Sequence, residues 1–257
     1  MREIITGVAD LLFPPLCITC GAVLGERPCL PFCPACGEGI RAIRSPLCPR
    51  CGVPFPADGG EDHLCGGCLT GKRPYAISRS LGLYEGTLLK AIHLFKYRGR
   101  IGIGEVLGRM LADFAGGQWG RDAFSVVIPV PLHRKRLRER GFNQALILAR
   151  EVAKRFSLPL EFMALSREVF TAPQVGLGRE ERSQNVRKAF AVRKPHAIAG
   201  QRVLLVDDVT TTGSTVSECA AVLNQGEAEA VAVLTLARAL DGTDVAPDAT
   251  APAEEVQ

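Results

Sequence analysis

Past residue 80 the apolar positions fall into two alternating patterns. Ser80–Tyr84 reads as a short strand and Glu85-Gly86 as a turn. Leu88, Leu89, Ile92 and Phe95 then return at helical spacing, which predicts an amphipathic helix over Thr87–Tyr97 that Gly99 ends. Val106, Leu107, Met110, Leu111 and Phe114 mark a second helix, and Phe142, Ala145, Leu146, Ala149, Val152 and Phe156 a third. Between these two, Ser125–Val130 (SVVIPV) is a short continuous apolar run, the pattern of a strand buried on both faces. Val203–Val206 and Ala230–Leu236 repeat that pattern on either side of a helix over Thr215–Leu223. Strands that alternate with helices predict an α/β domain over residues 75–240, a mostly parallel sheet with helices against both faces.

The first 74 residues show neither period. Large aliphatics are sparse there, Gly and Pro are frequent, and nine of the 10 cysteines fall within residues 1–68. Eight form four C-x-x-C pairs: Cys17/Cys20, Cys33/Cys36, Cys48/Cys51 and Cys65/Cys68. A C-x-x-C turn presents two thiolates to one tetrahedral ion, and two such turns complete a four-cysteine site. Gly21, Gly37 and Gly52 follow the second cysteine of three pairs, where a positive φ lets the chain fold around a metal. Disulfides would suit a secreted chain, but MREIITGVADLLFPPLC does not read as an export signal. Glu3 and Asp10 interrupt its apolar run, and Pro14-Pro15-Leu16 is no small-residue cleavage site. An amphipathic helix ending at the prolines is expected instead. A redox C-x-x-C calls for a βαβ context, and iron–sulfur ligation uses other spacings.

The reading is therefore two structural Zn2+ ions. Pairing in chain order assigns Cys17, Cys20, Cys33 and Cys36 to one ion and Cys48, Cys51, Cys65 and Cys68 to the other; an interleaved pairing satisfies the same spacing. A segment with so little core would draw most of its folding free energy from metal. Cys29 fits no pair, and Cys219 falls on the apolar face of a helix.

Composition adds bounds. A chain of 257 residues, 47% hydrophobic and 23% charged, is globular and has room for one large or two modest domains. No apolar run approaches the roughly 20 residues that span a bilayer, so no membrane insertion is expected and a cytoplasmic location is. The net charge of +4 conceals an asymmetry: residues 129–195 carry 15 Lys and Arg against 6 Asp and Glu, and residues 196–257 carry 2 against 10. Such a basic stretch suits a phosphorylated small molecule or nucleic acid, or else a solvated face folded against the acidic C-terminal part. Residues 241–257, acidic and rich in Ala, Pro and Thr, are expected to be disordered.

The segment that carries chemistry is VLLVDDVTTTGST, residues 203–215. An apolar strand runs into Asp207 and Asp208, then into a loop of Thr210, Thr211, Thr212, Gly213, Ser214 and Thr215, then into a helix. In open α/β sheets, ligands sit at the carboxyl ends of strands. Loop N–H groups and a helix N-terminus suit a phosphate, and adjacent carboxylates suit the vicinal hydroxyls of a ribose. The whole segment resembles the phosphoribosyl-pyrophosphate (PRPP) motif of type I phosphoribosyltransferases. KYRG at 96–99, PVPLHRKRLRERGFNQA at 129–145 and PQVGLGREERSQNVRKAF at 173–190 stand in order behind the cysteine pairs. Together they resemble the ComF family, competence-associated phosphoribosyltransferase-like proteins with an N-terminal double zinc ribbon. The resemblance covers roughly residues 10–238.

That resemblance implies a type I phosphoribosyltransferase-like sheet flanked by helices and preceded by a small double zinc ribbon within residues 1–74. Carried over position by position, Asp207 and Asp208 are the candidate catalytic acids and hold the ribose hydroxyls. Thr210, Thr211, Thr212, Gly213, Ser214 and Thr215 cradle the 5′-phosphate. Pro131, Leu132, His133 and Arg134 lie in the pyrophosphate loop, and Mg2+ bridges diphosphate and ribose oxygens while needing few protein ligands. Segment 170–190, with Gly176, Gly178 and the charges of Arg179–Arg182, falls where a mobile loop closes over the site. Arg140 and Asn143 are candidates for phosphate contact or for helix capping, and His93 for a structural role. Two function classes follow: a PRPP-dependent transferase, and a non-catalytic PRPP-binding module that holds single-stranded DNA on His133–Arg140. Nucleobase salvage is a third, without a base-reading motif to favour it. At the pathway level the resemblance implies natural competence and DNA uptake, with other competence proteins as partners. Aromatics at 6% leave few platforms on which DNA bases could stack.

Overall fold

The computed structural model describes residues 14–24, 31–56, 59–71, 73–97, 101–169 and 188–240. The expected N-terminal helix, most of the expected mobile loop, the acidic tail, Cys29 and Gly99 lie outside the described residues. In chain order the elements are α1 (Pro34–Glu38), α2 (Gly66–Thr70), β1 (Ile77–Leu83), α3 (Gly86–Tyr97), α4 (Ile101–Gln118) and β2 (Val126–Pro129). Then come α5 (Arg134–Arg140), α6 (Gln144–Phe156), β3 (Leu165–Arg167), β4 (Phe190–Val192), β5 (Arg202–Thr210), α7 (Ser214–Gln225) and β6 (Ala230–Arg238).

Four strands form a parallel sheet in the order β1-β6-β5-β2, and β3 pairs antiparallel with β4 beside it. The apolar runs bury both faces, as their composition requires. Leu204 and Val206 of β5 join Leu88, Ile92 and Phe95 of α3, Leu107 and Leu111 of α4 and Leu148 of α6 in one core. Val203 and Leu205 join Val216, Cys219 and Leu223 of α7 in the other. Each fully buried side chain of this size is worth about 1.5–3 kcal/mol, so the sheet and its helices carry the stability of this part.

Neither sheet edge is bare. Along β1, Leu83 donates its N–H to Arg41 O at 2.8 Å, Ile43 donates to Leu81 O at 3.3 Å, and Ser78 donates to Arg50 O at 2.7 Å. Along β2, Glu161 donates to Val127 O and Val127 to Pro159 O, both at 3.0 Å. The cysteine-rich segment thus closes one edge that would otherwise template foreign strands. It lies close enough that Gly52 (φ +72°) cannot be replaced: a Cβ there would stand 2.5 Å from Ser78 O.

The fold is the expected one, with β2 two residues shorter and the other strands of the parallel sheet longer. β1 begins at Ile77 rather than Ser80, and β5 runs to Thr210 rather than Val206. Pairing with β6 continues through Asp207 opposite Thr235 and Val209 opposite Ala237, and the polar Asp207, Asp208 and Thr210 hide this end of the strand from an apolar pattern. The expected pyrophosphate loop ends at His133: Arg134, placed in it from sequence, opens a helix, α5, capped by His133 and ended by Gly141.

Candidate functional site

Each C-x-x-C pair folds as a knuckle with a backbone bond returning to its first cysteine. The bonds run from Gly21, Gly37, Gly52 and Leu69 to Cys17, Cys33, Cys48 and Cys65, at 2.8–2.9 Å. Gly21 and Gly52 take the expected positive φ; Gly37 instead continues α1. The thiols gather in chain order, Cys17, Cys20, Cys33 and Cys36 in one group and Cys48, Cys51, Cys65 and Cys68 in the other, with all Sγ atoms of a group within 4.8 Å. The interleaved arrangement is thereby excluded. Four sulfurs at about 2.3 Å around a tetrahedral Zn2+ stand about 3.8 Å apart; Cys20 Sγ lies 3.7 Å from Cys33 Sγ, and Cys51 Sγ 3.6 Å from Cys65 Sγ. Donor set and spacing both fit zinc, and four thiolates leave no open position for catalysis. Pro-Leu-Cys-x-x-Cys-Gly occurs at 15–21 and again at 46–52, an internal repeat that marks the equivalent first knuckles. Cys219 lies in the core, where burial holds its thiol well above its ordinary value.

The second site opens at the carboxyl ends of β5 and β2. Asp207 and Asp208 sit inside β5, and Asp207 Oδ1 accepts the Asp208 N–H at 2.8 Å. Burial, then the neighbouring Asp208 carboxylate, push Asp207 up to about 7. Asp208 is held otherwise: Lys96 Nζ, at the end of α3, lies 2.9 Å from its Oδ2. Burial works against the Lys96 ammonium, but the Asp208 charge outweighs it and raises its pKa. The glycine loop follows. Gly213 takes φ +77° at the N-cap of α7, Ser217 donates to its carbonyl at 2.9 Å, and the hydroxyls of Thr212 and Ser214 bond each other at 2.7 Å. Thr210 Oγ1 is buried without a hydrogen-bond partner among the described residues.

Facing the acids is a cationic wall. Pro131 and Leu132 line the cavity, together with Arg136 and Arg140 of α5, Gln144 of α6 and Arg167 of β3. Arg136 and Arg140 are four apart and share a helix face. Burial and then the Arg136 charge pull the Arg167 guanidinium below its ordinary value, and its Cζ lies 5.3 Å from the Phe190 ring centre. Arg140 Nη1 donates to Gln144 Oε1 at 3.2 Å, which leaves the buried Gln144 Nε2 without a partner among the described residues. Asn143 caps α6, accepting from Ala145 N and donating to Val130 O, each at 3.1 Å.

Of the residues singled out from sequence, Asp207, Asp208, Thr215, Pro131, Leu132, Arg140 and Asn143 line this one cavity. Thr210, Thr211, Thr212, Gly213, Ser214, His133 and Arg134 are not among its lining residues; His133 Nδ1 accepts from Lys135 N at 3.2 Å as the cap of α5. His93 bonds Tyr84 Oη at 2.9 Å. Sequence reasoning missed Lys96, Gln144 and Arg167, and set Arg136 only within the basic run His133–Arg140. Lys96 and Gln144 lie in the KYRG and RGFNQ motifs, and the i,i+4 spacing of Arg136 and Arg140 was a usable mark of the inward face. Arg167 sits on a three-residue strand too short to show a period.

An acid pair and a glycine loop at parallel strand ends, with two cysteine tetrads ahead of them, define a phosphoribosyltransferase-fold protein with a double zinc ribbon. Family comparison agrees: residues 8–69 match the double zinc ribbon domain and residues 143–249 the phosphoribosyl transferase domain. The DNA utilization protein YhgH of Escherichia coli is 33% identical over 213 residues, covering 81% of this chain and 91% of that one. Competence protein F of Haemophilus influenzae is 31% identical over 217 residues, covering 81% and 90%. Competence protein ComFC of Bacillus subtilis is 26% identical over 236 residues, covering 86% and 90%. The chain belongs to the ComF family.

Proposed function

We propose that the cavity between β5 and α5 binds PRPP with Mg2+ and that the protein uses it in the handling of incoming DNA. The observation that carries this reading is the one cavity in which Asp207, Asp208 and Thr215, just past the Gly213 loop, meet Lys96, Arg136, Arg140 and Arg167. A ribose fits the acids, a 5′-phosphate the loop amides, and a diphosphate the guanidinium groups. In a transfer, the C1–O bond to diphosphate breaks as an acceptor attacks C1, and the diphosphate leaves with the electron pair. Asp207 and Asp208 would ease the positive charge growing on the ribose, while Arg136 and Arg140 hold the leaving group. Mg2+, when bound, neutralises diphosphate charge. The names of the E. coli and H. influenzae relatives support a role in DNA use and competence. Among the described residues no helix is long and apolar enough to cross a membrane, and thiol tetrads suit a reducing compartment, so the cytoplasm is the proposed location.

Calorimetric titration with PRPP and Mg2+ tests the reading, and its pH dependence tests the role of Asp207. A carboxyl at about 7 holds its proton in the empty site below neutrality, whereas ribose hydroxyls need an acceptor. Affinity should therefore rise about tenfold from pH 6 to 8 with proton release. Fold stability runs the opposite way. Between 3.8 and about 7 the folded state holds more protons than the unfolded one, so Asp207 costs stability as pH rises through that window. Phosphate groups also titrate near 6, so Asp207→Asn is the reference. A pH profile identical in both proteins would refute the assignment.

A second reading has its own observation. α5 turns Arg136 and Arg140 to the cavity but exposes Arg134, Lys135 and Arg138 to solvent. We infer that this outer face tracks a single-stranded DNA backbone. Binding should weaken with salt at roughly −0.7 per phosphate contact, and replacing the three exposed cations with Gln should flatten the slope by about 2 while sparing PRPP affinity. No DNA binding at low salt would leave α5 as a substrate helix alone.

A further inference from the structure

The second cysteine cluster is tied to both ends of the glycine loop. At the start, Arg238 lies opposite Thr210 in the β5–β6 register, and Ala239 donates its N–H to Thr210 O at 2.8 Å. The same buried Arg238 donates from Nη2 to the carbonyl oxygen of Cys51. Asn224, in the last turn of α7 and about 15 Å along the helix from Ser214, donates to Pro74 O at 2.6 Å. The next residue, Tyr75, is buried and brings its hydroxyl to 3.7 Å from where a Cβ on Gly213 would stand. Tyr75 shares its core with Cys48, Cys51, Cys68 and Val216. The unpartnered Thr210 Oγ1 lies 3.9 Å from the same Gly213 position, so the loop presents a buried donor awaiting an acceptor. The first cluster is joined elsewhere. Next to it, Gly39 packs against Thr87 at the start of α3, about 14 Å along the helix from Lys96.

We propose that metal at Cys48, Cys51, Cys65 and Cys68 sets the geometry of the Thr210–Ser214 loop, so that affinity for a phosphorylated ribose is gated by the second cluster and not by the first. Arg238 and Tyr75 are the positioning residues. A loop built on a left-handed glycine aims its amides at one point only while both ends are fixed, and displacements near 1 Å forfeit much of the binding they supply. The identity of the ligand rests on the phosphoribosyl reading above; the coupling of ribbon to loop does not.

The experiment compares Cys65→Ser, which disables the second cluster, with Cys20→Ser, which disables the first. Zinc content, hydrogen exchange at the amides of residues 211–215 and calorimetric affinity for ribose 5-phosphate are read in each. Cys65→Ser should retain one zinc, exchange the loop amides at least tenfold faster and bind about tenfold more weakly. Cys20→Ser should retain one zinc and change neither. Tyr75→Ala, with both zincs in place, should reproduce the faster loop exchange, and Tyr75→Phe, which keeps the ring, should largely restore protection. Exchange at Val203–Val206 reports the fold as a whole; if Cys65→Ser loses protection there, Tyr75→Ala decides alone. Equal effects of the two cysteine variants, or an unaltered loop in Tyr75→Ala, overturn the proposal. If the wild type binds no ribose 5-phosphate while the loop still follows the second cluster, the coupling stands and the phosphoribosyl reading falls.

Discussion

Stripping both metals should unfold the cysteine-rich segment and expose the β1 edge, and the two ions should leave in order. Purified protein should carry close to two zinc ions per chain. In the first cluster Cys20 is exposed and Cys33 and Cys36 are half-buried, whereas in the second Cys48, Cys51 and Cys68 are all buried. A chelator therefore reaches the first ion sooner. Structural zinc supplies an apparent 10–16 kcal/mol in small fingers, about as much as the roughly 5–15 kcal/mol that holds a whole domain. Loss of the second ion also undoes the Ser78 and Arg238 bonds to Arg50 and Cys51, so damage should reach the sheet edge. Zinc release followed by colorimetry, with hydrogen exchange in parallel, reads both phases. Metal-free protein that keeps slow exchange at Gly21 and Gly52 would overturn the assignment.

The sheet was legible because its strands are buried on both faces, which leaves continuous apolar runs at Val126–Pro129 and Val203–Val206. The ends of β5 and β1 were not, because the chain there is chosen for the site and for the ribbon rather than for the core. Asp207 and Asp208 extend a strand that propensity would stop. The acid pair and the glycine loop could be read in full from one contiguous segment. The cationic wall could not, because α3, α5, α6 and β3 each contribute one or two side chains from motifs far apart in sequence. Chemistry alone cannot tell which arginine of HRKRLRER turns inward; helix phase decides it. His133 illustrates the converse. Its place after a strand end suggested chemistry, yet the same place makes it a helix cap.

Asp208→Asn should cost the fold far more than Asp207→Asn, although each should weaken PRPP binding at least a hundredfold. The two acids are neighbours in one strand with opposite electrostatic positions. Asp207 is a carboxyl whose burial already disfavours its charge, so Asn relieves that cost and at pH 8 the variant should be as stable as the wild type. Asp208 is the counter-ion of Lys96, and the two side chains are only 12% and 15% exposed. Its replacement strands an ammonium in the interior, a loss of about 3–5 kcal/mol. Without Asp208, burial works against the Lys96 ammonium with only the weaker Tyr84 and Asp207 charges opposing it, so its pKa should fall. Once it lies below its ordinary value, the folded state holds fewer protons than the unfolded one, and the variant should gain stability as pH rises. Adding Lys96→Met removes the stranded charge and should recover most of the loss without recovering PRPP binding. Denaturant midpoints of the three proteins at pH 6 and 9, with PRPP titrations alongside, measure both quantities. Equal midpoints for Asp207→Asn and Asp208→Asn, with no rescue by Lys96→Met, would mean that the ion pair does not stabilise the site as its burial requires.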